Sequence, residues 1–135
     1  MSILTRAALA AVLTTQLAAA QVPTPLPPVT DAVLQNPDPA DWLMWRRTLD
    51  TWGFSPLTQI DRTNVRNLRM VWTRALGPGM QEGTPLVYKG VMFFPNPSDL
   101  VQAFDAASGD MLWEYRRSLP EDLTKYMPVP SINRN

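Results

Sequence analysis

The sequence predicts an all-β fold in which a four-stranded antiparallel sheet is one unit of a repeat. Short runs of bulky and β-branched residues alternate with turn residues after about residue 68. Four such runs follow one another within residues 84–117, the arrangement of an antiparallel meander. Trp72 and Trp113 lie 41 residues apart, and each follows a methionine by two positions. That interval is about one four-stranded blade, so the pattern indicates a β-propeller; two tryptophans that recur by accident in another β protein are the alternative.

Residues 1–20 have the features of a secretory signal peptide. Arg6 supplies the positive charge, residues 7–13 the apolar stretch and residues 17–20 the small-residue cleavage site. An ordinary N-terminal helix is the alternative, but the proline-rich residues 22–29 would separate it from any core. The apolar run is also too short and too interrupted to span a bilayer stably. We therefore expect an exported protein without a stable membrane span.

A proline-rich leader, residues 21–35, is expected next. Its first part, residues 21–29, favours an extended, polyproline-like arm. Thr30 is a capping residue for a helix of one or two turns that ends before Pro37. Residues 36–135 form the predicted domain, which we expect to be incomplete.

Loop signals separate the leader from the strands. A short segment at residues 39–47 ends at polar residues, and Gly53 interrupts the residues that follow. Asp61 is placed to cap a single turn at residues 63–68.

The strands follow in a fixed order. One is expected at residues 68–76 and is ended by the Gly-Pro-Gly of residues 77–79. Two runs within residues 84–94 form a hairpin through Lys89-Gly90. Pro85 cannot donate to a ladder, so it belongs at the first residue of a strand or on a sheet edge. The remaining elements are a loop at residues 95–99, strands at residues 100–106 and 111–117, and a turn at residues 107–109.

One blade has two apolar faces that await neighbours on either side. We therefore expect the chain to be part of a longer one, and the last residues, 132–135, show no cap or terminal helix. A stand-alone product that folds by self-association of blades is the alternative.

Charge and composition exclude several classes of function. Twelve basic and twelve acidic residues balance, so no net field attracts nucleic acid or acidic lipid. Cysteine and histidine are both absent, which removes disulfides, thiolate metal sites and a Ser-His-Asp triad. Any chemistry must use carboxylates, arginines or a bound cofactor.

Residues 103–113 carry a turn motif. Asp105 and Ser108 can accept backbone N–H bonds within the turn, and Gly109 supplies a left-handed position. Trp113 then falls on the outer strand with an apolar face to bury. The motif is either a fastener between adjacent blades or a hairpin with a core tryptophan, and both readings are structural.

Two residues are candidates for ligand contact. Glu82 precedes the first strand of the sheet, which in a propeller lines the central channel, so its carboxylate can face a polar ligand. An exposed loop glutamate is the alternative. Arg134 can hold a carboxylate bidentately, although most terminal arginines are solvated. Two arginine pairs are expected to be solvated ends of elements: Arg46-Arg47 and Arg116-Arg117.

Three segments resemble the quinoprotein alcohol dehydrogenases, periplasmic enzymes that use pyrroloquinoline quinone (PQQ). Residues 54–72 are similar to the segment before the first blade, and residues 81–94 to the stretch that opens that blade. Residues 103–113 resemble the family's tryptophan-docking repeat, whose positions are occupied by Ala103, Asp105, Ser108, Gly109 and Trp113. The docking repeat also occurs in non-enzymatic envelope scaffolds that bind other proteins, and such a scaffold is the alternative function.

The resemblance implies an eight-bladed propeller whose last blade is closed by residues 68–76. It implies PQQ on the axis with Ca²⁺ or a lanthanide, and oxidation of a primary alcohol to an aldehyde by hydride transfer to PQQ. A periplasmic acceptor such as a cytochrome c would take the electrons. By position, Glu82 and Arg134 match residues that contact PQQ. The catalytic aspartate and the metal ligands have no match in this chain, so the chain alone is expected to be inactive.

Two departures from the family pattern stand out. Many members carry two adjacent cysteines a few residues before the matching arginine, where this sequence has Pro128-Val129. The strained ring that those cysteines form is therefore expected to be absent. The hairpin turn, commonly Asp-Gly in relatives, is Lys89-Gly90 here.

Overall fold

The computed structural model describes residues 25–126. The predicted signal peptide, the first residues of the leader, Pro128-Val129 and Arg134 lie outside the described residues. Every helix within the described range falls short of the length and apolar character needed to cross a membrane.

A four-stranded antiparallel meander forms the body of the chain, as predicted. The strands are β1 Leu86–Tyr88, β2 Val91–Asn96, β3 Leu100–Asp105 and β4 Met111–Arg116, hydrogen-bonded in the order β1-β2-β3-β4. The register pairs Val91 with Asp105 and Ala103 with Trp113, and it shifts at a bulge between Ala103 and Phe104.

The β1–β2 turn has the predicted two residues. Lys89 and Gly90 both have positive φ, at 49° and 79°, as a type I′ turn requires. Lys89 is an uncommon residue for this conformation, but its surroundings stabilise it there. Its backbone N–H donates to Asp41 Oδ1 at 2.9 Å, and its ammonium lies 3.6 Å from Asp38 and 3.7 Å from Asp41.

Strand β2 runs further than predicted. Pro95 and Asn96 were expected in a loop, but they pair with Val101 and Leu100 of β3. β1 begins at Leu86, which pairs with Phe93, so β1 does not reach Pro95. No β1 carbonyl therefore requires the backbone N–H that proline lacks. A proline is tolerated there because the ladder on that side has already ended.

The N-terminal segment contacts the outer edge of β1. Helix α1, Asp31–Gln35, is capped by Thr30 as predicted. Trp42 and Val87 exchange both backbone hydrogen bonds at 2.8 Å, which adds a bridge to the edge strand. The expectation that Arg47 is solvated was wrong: it is 8% exposed, and its guanidinium donates to Asp38 O.

A short 3₁₀ helix, Val65–Asn67, lies in the segment before the sheet. The Asp61 carboxylate accepts from the backbone N–H of Thr63 and Asn64, as predicted for the start of this segment. These bonds stabilise the turn before the helix, whose own N-cap, Asn64, makes no side-chain cap. A second 3₁₀ helix, Leu123–Lys125, follows β4.

Residues 68–76, predicted as a strand, form no strand in the structure. The segment lies across the sheet and is held by side chains. The Arg74 guanidinium lies 5.4 Å from the centre of the Phe104 ring. A groove of about 310 Å³ separates Trp72 and Leu76 from Met92 of β2. A segment without a backbone partner in the described chain forms no ladder, whatever its β propensity.

The core is small, and its buried apolar residues are Tyr88, Val91, Leu100, Ala103 and Phe104. One edge of the sheet, strand β4, is uncovered. All six residues of β4 are exposed, including Trp113 at 45% and Tyr115 at 61%. The outer strand therefore leaves large apolar side chains in solvent, as the prediction of a blade without its neighbour requires.

Candidate functional site

The turn between β3 and β4 has the predicted internal bonds. Asp105 Oδ1 accepts the backbone N–H of Ala107 at 2.9 Å and of Ser108 at 2.8 Å. Ser108 Oγ accepts from the N–H of Asp110 at 3.2 Å. Gly109 has φ +76°, the left-handed position, and its N–H donates to Asp105 O. The carboxylate is thus the centre of the turn.

These bonds act on the ionisation of Asp105. Backbone N–H donation from Ser108 is the main reason that the pKa of this carboxyl lies below its usual 3.8, with Ala107 and the Ser108 hydroxyl adding to it and burial opposing it. Hydrogen bonds to the charged form favour that form. The turn is therefore built around an ionised aspartate.

Trp72, from the segment before the sheet, is docked on this turn. Its indole N–H donates to Ala106 O at 3.1 Å. A Cβ built on Gly109 would lie 2.5 Å from Cδ2 of the indole, so the ring rests directly on the glycine. The turn therefore holds a tryptophan from the segment before the sheet. The fastener between adjacent blades stays a prediction, because the described residues form one sheet. Trp113, which matches Trp72 in the sequence repeat, lies on β4 and contacts Phe93 with ring centres 6.0 Å apart.

Glu82 lies at the start of the sheet, in the segment that leads into β1, and its side chain is exposed. Both of its neighbours contact Pro95 of β2. Gln81 Nε2 donates to Pro95 O at 2.6 Å, and a Cβ on Gly83 would overlap the Pro95 ring. The segment around Glu82, interpreted from the sequence as a flexible loop, is thus anchored on both sides of the carboxylate.

A chain of amide groups crosses the same end of the sheet. Asn96 Nδ2 donates to Gln102 Oε1 at 3.0 Å, and Gln102 Nε2 donates to Glu114 Oε2 at 3.1 Å. Asn96 is fully buried, and its Oδ1 has no hydrogen-bond partner in the described chain; the same holds for Oε1 of Gln81. Buried acceptors of this kind are unusual and mark the end of the sheet beside Glu82 as polar.

Of the two predicted ligand-contact residues, the structure therefore describes only Glu82. Within residues 25–126, no group of three or more acidic side chains is arranged to hold a metal ion. The arrangement supplies one exposed carboxylate as a hydrogen-bond acceptor, on an anchored backbone.

Sequence reasoning missed Gln81 and Pro95 as the residues that hold Glu82. A glutamine beside a glutamate carries no recognisable signal, because its partner lies 14 positions away on another strand. A glycine followed closely by a proline-initiated strand hints at close backbone approach, but it does not identify the surface approached.

A four-stranded meander whose last turn is covered by a tryptophan from the preceding segment is a blade of a β-propeller. The chain belongs to the family described as the PQQ β-propeller domain of glucose, ethanol and alcohol dehydrogenases, which matches residues 42–129.

Curated relatives agree with this assignment. The dehydrogenase subunit of the quinone alcohol dehydrogenase of Gluconacetobacter polyoxogenes is 37% identical over 106 residues, which are 77% of this chain and 14% of that protein. Quinoprotein alcohol dehydrogenase PedH of Pseudomonas putida is 38% identical over 84 residues, 60% of this chain and 14% of that protein. The chain thus spans about a seventh of the length of these relatives.

Solved structures show the same fold. Quinohemoprotein alcohol dehydrogenase ADHIIG of Pseudomonas putida superposes with a TM-score of 0.58 at 35% identity, over 64% of this chain and 13% of that one. A europium-containing methanol dehydrogenase superposes with a TM-score of 0.65 at 25% identity, over 77% of this chain and 19% of that one.

Proposed function

We propose that the chain is the N-terminal portion of an exported, PQQ-dependent alcohol dehydrogenase that oxidises a primary alcohol to an aldehyde in the periplasm. Family membership over residues 42–129 is the observation that carries the proposal. In the complete protein, eight blades surround the axis, and residues 68–76 complete the last of them. The name of one relative, a 1-butanol dehydrogenase described with cytochrome c, supports both the alcohol substrate and the electron acceptor of this proposal.

Among the described residues, Glu82 is suited to bind one group of the cofactor. PQQ carries an N–H donor as well as carboxylates and quinone oxygens, and an exposed carboxylate on an anchored backbone is suited to accept from such a donor. When bound with its metal ion, PQQ supplies the acceptor for hydride from the alcohol. Glu82 would accept a hydrogen bond from the cofactor and so help to orient it, and Arg134 would pair with one of its carboxylates.

The metal ion, Ca²⁺ or a lanthanide, is proposed to be held by residues outside this chain. The europium-containing methanol dehydrogenase among the structural neighbours supports a metal in this fold. Because the aspartate that takes the alcohol's proton is also proposed to lie outside this chain, the chain alone is proposed to be inactive.

Equilibrium titration of the full-length apoprotein with PQQ in the presence of Ca²⁺ or a lanthanide tests this function. Glu82→Ala and Arg134→Ala are each expected to weaken PQQ binding about tenfold or more, as the loss of a hydrogen bond to a charged group does. Glu121→Ala, at another exposed glutamate, is the matched control. Unchanged affinity in both site variants rules out the assignment of these residues. Absence of PQQ binding by the full-length protein rules out the enzyme and leaves the scaffold.

A further inference from the structure

Two contacts tie the residues on either side of Glu82 to one residue of β2, Pro95. Gln81 reaches the carbonyl oxygen of Pro95 with its amide nitrogen, at 2.6 Å. Gly83 packs on the ring of the same proline so closely that it has no room for a Cβ. The residues immediately before and after the carboxylate are thus both held, by different atoms of one side of β2.

Pro95 can serve as this anchor because of its place in the ladder. β1 begins at Leu86, which pairs with Phe93, so β1 does not extend as far as Pro95. Proline has no N–H, and the group left to satisfy on that edge is its carbonyl oxygen. Gln81 donates to it in place of a strand.

The hydrogen bond to Pro95 also orients the side-chain amide of Gln81. The oxygen of that amide, Oε1, is buried without a hydrogen-bond partner in the described part of the chain. A buried acceptor left unpaired is unfavourable, and an apolar side chain of similar length would avoid it. The amide therefore contributes through its donor, and the donor acts on the backbone next to Glu82.

We infer that Gln81 is a positioning residue for the cofactor, which fixes the Glu82 carboxylate by tying its backbone to Pro95. The inference rests on the proposed function, because it assumes that Glu82 contacts PQQ. Anchoring the chain on both sides of a contacting residue removes the conformational freedom that binding would otherwise have to suppress, which strengthens binding. Gln81 acts through Glu82 and makes no contact of its own with PQQ.

The test is a double-mutant cycle on the full-length protein, with PQQ and Ca²⁺ as the probes and the dissociation constant of PQQ as the readout. Gln81→Met keeps the length of the side chain and removes the donor to Pro95. It is expected to weaken PQQ binding about tenfold. This is the lower end of the loss expected when a residue that orients a ligand-contacting side chain is replaced. In a Glu82→Gln background, the same substitution is expected to change the affinity less than twofold, because the residue through which it acts has already lost its charge.

Gly83→Ala tests the other half of the anchor and is expected to show the same dependence on Glu82. If the Gln81→Met protein does not fold, Gly83→Ala alone tests whether the anchor on Pro95 acts through Glu82. Gln35→Met is the control for the glutamine-to-methionine change itself, since Gln35 is an exposed residue of helix α1. It is expected to leave the PQQ affinity unchanged.

Two results overturn the inference alone: a Gln81→Met protein that loses stability but binds PQQ like wild type, and an equal loss of affinity with and without Glu82→Gln. A Glu82→Gln protein that binds PQQ like wild type overturns the assignment of Glu82, and the inference with it. A wild-type protein that does not bind PQQ overturns the proposed function first, and the inference with it.

Discussion

The indole of Trp72 lies on Gly109, and its N–H donates to the backbone oxygen of Ala106 in the same turn. A residue from the segment before the sheet thus closes the turn between the last two strands. Trp113, which matches Trp72 in the sequence repeat, lies on β4 and is 45% exposed. Such exposure is what the predicted fastening of one blade to the next requires.

Gly109→Ala is expected to destabilise the protein by about 2–4 kcal/mol, as the sum of left-handed backbone strain and overpacking against Trp72. Gly90→Ala is the matched control, because Gly90 has a similar φ of +79° but nothing within 4 Å of its missing Cβ. It should lose only the strain, about 1–2 kcal/mol. Urea unfolding of both variants measures the difference. Equal losses would mean that the indole contributes nothing at this position.

Trp72→Phe retains most of the ring and removes the N–H donor to Ala106 O. The expected loss of stability is about 1 kcal/mol, the net contribution of one partly buried hydrogen bond, with a further loss from the smaller ring. Trp52→Phe is the control, since Trp52 is 73% exposed and should tolerate the change. Denaturant midpoints decide the prediction, and a Trp72→Phe protein as stable as wild type contradicts the docking role.

Lys89→Asp is expected to destabilise the protein by about 1 kcal/mol although aspartate suits a positive-φ turn better than lysine. The new carboxylate would face Asp38 and the buried Asp41, where Lys89 now places its ammonium. Lys89→Asn suits the turn but removes the cation beside buried Asp41, so it should be destabilising by less than Lys89→Asp. Since salt screens the repulsion from exposed Asp38, the gap between the two variants should narrow in about 1 M NaCl. A Lys89→Asp protein more stable than wild type would show that turn preference outweighs charge.

The lowered pKa of Asp105 predicts a pH dependence of stability. Its folded pKa lies below the usual 3.8, so its contribution is fully present above pH 3.8 and is lost as the pH falls through the folded value. Asp105→Asn removes the ionisation. The stability difference between wild type and this variant should therefore be constant above about pH 5 and shrink at more acidic pH. Melting curves between about pH 2 and pH 7 check this, and a difference that stays constant throughout contradicts it.

Much of the sheet was predictable from local sequence. The Lys89-Gly90 turn and the Asp105–Gly109 turn each depend on residues within a few positions, whose side chains and φ preferences define the bend. The resemblance carried by residues 54–72, 81–94 and 103–113 led to the correct family for the same reason, since it rests on local motifs. The anchoring of Glu82 was not predictable, because Gln81 meets Pro95 only after β2 has folded beside it.

The burial of Arg47 and the absence of a strand at residues 68–76 were likewise not predictable from local sequence. A charged residue next to another arginine is expected in solvent, and its burial against Asp38 O follows from how the N-terminal segment crosses the edge of β1. Residues 68–76 have the composition of a strand, yet a strand exists only where a neighbour supplies the ladder.

Alternation, turn chemistry and the recurring tryptophan were therefore enough to establish the meander, its hairpins and the kind of repeat, because each is written within one short stretch of chain. The seat of Trp72, the burial of Arg47 and the hold on Glu82 depended on which distant surfaces come together. Contacts between residues far apart in sequence arise from packing, and no local pattern of residues encodes their partners.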